Sequence, residues 1–103
     1  MSRSWELFLK DMEDATQRIL RHTGGLTLEA FKDDDLRYDA VVRNLEILGE
    51  AAKGIPPEIR AQIPGIDWRG IAGLRDVLSH AYFAIDDSTL WDIIKNRVPS
   101  PIN

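Results

Sequence analysis

From Trp5 to Leu20 the apolar residues Trp5, Phe8, Leu9, Met12, Ala15, Ile19 and Leu20 recur every three or four positions. At about 100° per residue this spacing gathers them on one side of a helix. Nowhere does the chain show the every-second-residue alternation of a half-buried strand. A chain patterned in this way reaches a core by packing helical stripes against one another. Ser2 or Ser4 can cap this first helix and Gly24-Gly25 ends it. Its aromatic start reads as core or dimer packing.

The same logic carries along the chain. Thr27 caps a short helix with Leu28 and Phe31, and Asp33-Asp34-Asp35 introduces a second long helix through about Lys53. Consecutive carboxylates at a helix start point in different directions, so the three aspartates read as capping and dipole stabilisation rather than a metal site. Val41, Leu45, Leu48 and Ala52 form the inward stripe of the second long helix; Arg43, Glu46, Glu50 and Lys53 form a polar face at ion-pairing spacing. Gly54 fits a C-cap, and Pro57 starts a short helix ending near Ile63. Asp86 caps a last helix in which Leu90, Trp91, Ile93, Ile94 and Val98 point inward, ended by Pro99 and Pro101. The expected fold is an all-α bundle of three or four main helices with two short ones, a single domain over residues 1–103.

With a formal charge of -4, the chain has no global field that attracts phosphates. Any contact with nucleic acid then rests on local groups such as Arg43, Arg69 and Arg75. The absence of cysteine excludes disulfides, thiolate catalysis and cysteine-ligated zinc. The charged N-terminus is unlike a signal peptide, and no apolar run reaches the ~18 residues that span a bilayer. A cytoplasmic protein is the simplest reading.

The stretch Asp67 to Tyr82 carries a polar cluster that the core does not require. Asp67 caps it, with Ile66 and Ile71 at the spacing of a hydrophobic staple, and the expectation is one helix from Asp67 to Tyr82. Ile71, Leu74, Val77, Leu78 and Ala81 form its apolar stripe. Arg75, Ser79 and Tyr82 gather within roughly 60° at one border, and Arg75 and His80 diverge by roughly 140°. One straight helix cannot aim both at one atom. Two crossed copies related by a two-fold axis can, which makes a homodimer with a shared cleft the expected assembly.

Residues 75 to 82, RDVLSHAY, read as R-x4-H-x-Y, and this resembles the signature of the HepT-like branch of the HEPN domain. The surrounding residues 43 to 87 are similar to that branch nearly throughout. The resemblance implies a HEPN-type helical bundle acting as an endoribonuclease, with Arg75 and His80 as its catalytic residues and no metal or cofactor. It implies further the toxin half of a prokaryotic toxin-antitoxin pair of the type VII kind. There a minimal nucleotidyltransferase antitoxin attaches AMP to the motif tyrosine, here Tyr82. Arg43, Asn44 and Glu46 then border the cleft.

The residue types suit that chemistry. His80, with an ordinary pKa near neutrality, can take the proton of a 2′-hydroxyl. The Arg75 guanidinium can clasp two phosphate oxygens as charge builds on phosphorus. Asp76 can hold the imidazole tautomer and Ser79 can donate to phosphate. Spacing alone leaves plainer roles open: Arg75 and His80 bonding backbone carbonyls or Asp76, Arg43 and Glu46 pairing on the surface, and Tyr82 closing a helix. Metal binding through His80 lacks a second ligand, because His22 belongs to another helix. The alternative function is a catalytically silent helical module that binds a minimal nucleotidyltransferase.

Overall fold

The computed structural model describes residues 4–74, 78 and 87–98. Within them the chain forms six helices and no strand: α1 (Trp5–Thr23), α2 (Leu28–Lys32), α3 (Asp35–Lys53), α4 (Pro57–Arg60), α5 (Trp68–Ala72) and α6 (Asp87–Asn96). The architecture is the all-α bundle expected from the periodicity.

The two long helices form the frame. Each has 19 residues, a length of about 28 Å at 1.5 Å per residue, and they make the most extensive pairing among the described helices. They run antiparallel. At one end Arg37, early in α3, donates from Nη1 to the carbonyl of His22, late in α1 (3.1 Å). At the other, Phe8 of α1 lies against Gly54 at the end of α3. Between these ends Ala15 and Ile19 meet a stripe of Val41, Leu45, Leu48 and Ala52, all fully buried.

Local chemistry starts and stops the helices much as the sequence indicates. The Thr27 hydroxyl accepts from Ala30 N (3.1 Å) and Asp34 Oδ1 from Arg37 N (3.1 Å). Asp34 also pairs through Oδ2 with Arg37 Nε (3.1 Å), so the middle aspartate of the acidic run works as a cap. Gly24 ends α1, its N–H donating to Leu20 O (2.8 Å), and Gly25 takes φ 75°, the left-handed conformation that glycine adopts most readily. Gly54 has a different reason to be glycine. Its φ of -82° suits any residue, but a Cβ there would fall 2.4 Å from the Phe8 ring.

Two features depart from the local reading. Arg60 turns back on the end of α3, donating from Nη2 to Ala52 O and from Nε to Ile55 O, both at 2.9 Å. It thereby satisfies carbonyls that a helix end and its exit loop leave open. The helix expected to run from Asp67 to Tyr82 is also interrupted. α5 closes after Ala72, where the Gly73 N–H reaches Arg69 O and Ile71 O, and helical structure resumes at Leu74. Gly70 and Gly73 lie three apart, and each weakens a helix by about 1 kcal/mol relative to alanine.

The inward residues of α6 are Leu90, Ile93 and Ile94. Trp91 packs on Phe31 with ring centroids 5.2 Å apart, and Phe31 in turn on Tyr38 at 5.3 Å. No helix among the described residues is long and apolar enough to cross a membrane.

The glycine contacts yield a paired prediction. Gly54→Ala drives a methyl into the Phe8 ring and should cost about 1–3 kcal/mol, the usual range for overpacking. Gly65→Ala meets open space and should stabilise by about 0.4–1 kcal/mol through the unfolded chain. Urea titration of the two variants checks both signs.

Candidate active site

Arg43, Asn44 and Glu46 all lie on α3, which sends them into two environments. Arg43 and Glu46 line a cavity of about 340 Å³ between α1 and α3. Phe8 and Asp11 supply its α1 wall, and Ile47, Glu50 and Ala51 complete the α3 side. Arg43, Ile47 and Glu50 follow one another at helical spacing, which places them along the margin where α3 leaves its contact with α1. Arg43 Nη1 lies 3.5 Å from Glu46 Oε2, and the two side chains are 71% and 43% exposed. A pair this exposed contributes only about 0–1 kcal/mol, so it orients the two forks without holding the fold together.

Asn44 is turned by about 100° from Arg43 and is buried, with 7% of its surface exposed. Its Nδ2 donates to Ala40 O at 2.8 Å. Its Oδ1 is buried with no hydrogen-bond partner among the described residues. Asn44 thus lies in the core rather than on the exposed face that carries Arg43 and Glu46.

Arg75, Asp76, Ser79, His80 and Tyr82 lie outside the described residues. Contacts anchor the chain on either side of their segment. Leu74 and Leu78 are buried. Upstream, the Asp67 carboxylate caps α5 by accepting from Gly70 N (3.1 Å), and its second oxygen pairs with Arg97 Nη1 (3.3 Å) just beyond α6. Trp68 Nε1 donates to Ile63 O (3.0 Å), and the Arg60 guanidinium lies 5.8 Å from the Trp68 ring centroid. Downstream, the Tyr38 hydroxyl donates to Asp87 Oδ1 (3.2 Å) and ties the start of α6 to α3. Sequence reasoning found the Asp67 cap but missed Arg60, Arg97 and the Tyr38–Asp87 bond. Arg60 acts across a loop, on carbonyls five and eight residues back, and the other two contacts join residues 30 and 49 positions apart; helical periodicity carries no signal for any of them.

The all-α bundle, with R-x4-H-x-Y at residues 75–82 between two anchored helices, defines a HEPN-type protein. A profile described as "Ribonuclease HepT-like" matches residues 12–102, and the chain belongs to that family. A protein of Thermococcus cleftensis named as a probable ribonuclease HepT is 41% identical over 100 residues, covering 97% of this chain and 91% of its own. An RNase candidate of Methanocaldococcus jannaschii is 39% identical over 95 residues, covering 92% and 78%. One of Caldanaerobacter subterraneus is 34% identical over 92 residues, covering 89% and 82%. No solved structure shows a significant match to the chain.

The Tyr38–Asp87 tie has a pH signature. Burial first, then the hydrogen bond and charge of Asp87, raise the Tyr38 phenol above its ordinary value. A raised folded-state pKa contributes stability that is complete below the unfolded value of about 10 and is lost as pH rises through the folded value. Tyr38→Phe should therefore flatten the loss of stability above about pH 10, as read by denaturant titrations between neutral and alkaline pH.

Proposed function

We propose that this protein is a metal-independent endoribonuclease, the toxin component of a prokaryotic toxin-antitoxin pair of the type VII kind. The observation that carries the reading is the intact Arg75, His80 and Tyr82 set within residues matched by the HepT-like ribonuclease family. The names of the relatives, which describe ribonucleases, support it.

In this reading His80 removes the 2′-hydroxyl proton, and the freed oxygen attacks the adjacent phosphorus. Arg75 stabilises the charge that builds on the non-bridging oxygens. The bond to the 5′-oxygen breaks and that oxygen takes a proton, leaving a 2′,3′-cyclic phosphate and a 5′-hydroxyl. Asp76 holds the imidazole and Ser79 donates to phosphate. Two copies of the chain form the cleft, Arg75 of one facing His80 of the other. AMP transferred to Tyr82 by a minimal nucleotidyltransferase silences the enzyme, because the added phosphate competes for Arg75 and the nucleoside blocks RNA.

Incubation with RNA tests the proposal. Cleavage should persist in EDTA, leave cyclic or 2′/3′-phosphates, and disappear in Arg75→Ala and His80→Ala. Mixed dimers of those two variants should regain part of the activity, since one cleft keeps both residues. Tyr82→Phe should cut RNA yet resist AMP transfer. A folded wild-type dimer that leaves RNA intact while binding its nucleotidyltransferase would establish the silent module instead. Rescue of chelated enzyme by magnesium would refute the metal-independent step.

A further inference from the structure

Gly73 joins an anchored helix to the motif. At its start α5 is held by Arg97 on the Asp67 carboxylate, by Trp68 Nε1 on the Ile63 carbonyl and by the Arg60 guanidinium beside the Trp68 ring. Ile71, buried, seats its single turn in the core. The helix then closes at Gly73, whose ψ of -5° departs by roughly 40° from the α-helical value. Leu74, helical and buried, comes next, and Arg75 follows at once. We propose that Gly73 is a positioning residue for RNA cleavage: the break there sets the direction in which the chain enters residues 75–82. This rests on the ribonuclease reading and adds a residue to it.

The surroundings of residue 73 leave room for a side chain to begin. Its φ of -82° suits any residue, and a Cβ there would meet the carbonyl oxygens of Arg69 and Gly70 at 3.5 and 3.6 Å, ordinary van der Waals contact. Gly70 differs, because a Cβ on it would strike the Asp67 carboxylate that caps α5. Nor does the core select the break. Ile71, Leu74 and Leu78, all buried, stay in phase across it, so an unbroken helix would bury the same three side chains. The choice between broken and unbroken then falls to the local preference of residue 73, and glycine is, after proline, the residue least favourable to a helix. Straightening would turn everything after residue 73 relative to the anchored α5. Arg75 and His80, the two groups that act on the RNA in the cleavage reading, would turn with it, and a misplacement of about 1 Å can cost ~100-fold in rate.

Gly73→Ala and Gly73→Asn place the same Cβ in the same space and differ in helix preference. Relative to glycine, alanine favours the unbroken helix by ~5-fold and asparagine by ~2-fold or less; asparagine, like glycine, also ends helices readily. Single-turnover cleavage of RNA by the wild-type protein and both variants, with a urea titration and a far-UV circular dichroism spectrum of each, tests the assignment. Gly73→Ala should be at least as stable as wild type, gain helical signal, and cut ~5-fold more slowly at saturating RNA. Gly73→Asn should stay within ~2-fold of the wild-type rate. Equal rates in all three proteins overturn the proposal. So does an equal loss in both variants, which would make the Cβ itself the cause, and so does a destabilised Gly73→Ala, which would make glycine a packing requirement. Each of those results leaves the nuclease standing, because the wild-type protein still cuts. Wild-type protein that leaves RNA intact removes the nuclease reading and this assignment together.

Discussion

The apposition of α1 and α3 is the contact on which the rest of the bundle depends. In proteins most of a helix's stability comes from packing its apolar face, and the stripe of Val41, Leu45, Leu48 and Ala52 ties α3 to the core. α2 and α5, with five residues each, are shorter than any helix that stands alone. They form because the long pair offers a surface on which Phe31 and Ile71 can be buried. The position of the cavity follows from the same contact. Phe8 meets backbone at Gly54, and along the adjoining margin Arg43 and Glu46 face outward where the apolar stripe ends.

What the sequence made legible is what short-range chemistry controls. Thr27, Asp34 and Asp67 each reach a backbone N–H three residues ahead, so the residue type and its place before an apolar run suffice to identify them. The inward stripe of α3 was readable for the same reason, because its period is that of the helix itself. The interruption at Gly73 left no trace in the apolar pattern, because the stripe of Ile71, Leu74 and Leu78 continues in phase across it.

The tertiary polar contacts carried no such signal. Arg60 and the Ala52 carbonyl are brought together by a loop whose path depends on the packing of Ile55, and Asp67 meets Arg97 across 30 residues. Asn44 entered the reading with Arg43 and Glu46 as a border of the cleft, through the family resemblance, and its burial has a plain geometric cause. Its angular position between Leu48 and Ala51, both buried, puts it indoors. For Arg75 and His80, spacing permitted an ordinary structural role as readily as a catalytic one. Family resemblance, rather than geometry, raised them to site residues.

The manner in which α6 is attached bears on how the molecule comes apart. Its aromatic contact runs through Phe31 of α2, a helix of little more than one turn that owes its start to the Thr27 hydroxyl. The ties at Tyr38 and Asp67 are single side-chain contacts. Leu90, Ile93 and Ile94 add the apolar part of the α6 attachment, and proteins open in cooperative units whose free energies lie at or below that of global unfolding. In hydrogen-exchange terms, α2 and α6 should behave as one such unit, exchanging together while the cores of α1 and α3 stay protected. Loss of a cap at residue 27 would then be felt more than sixty residues away, at the helix that closes the far side of the motif segment.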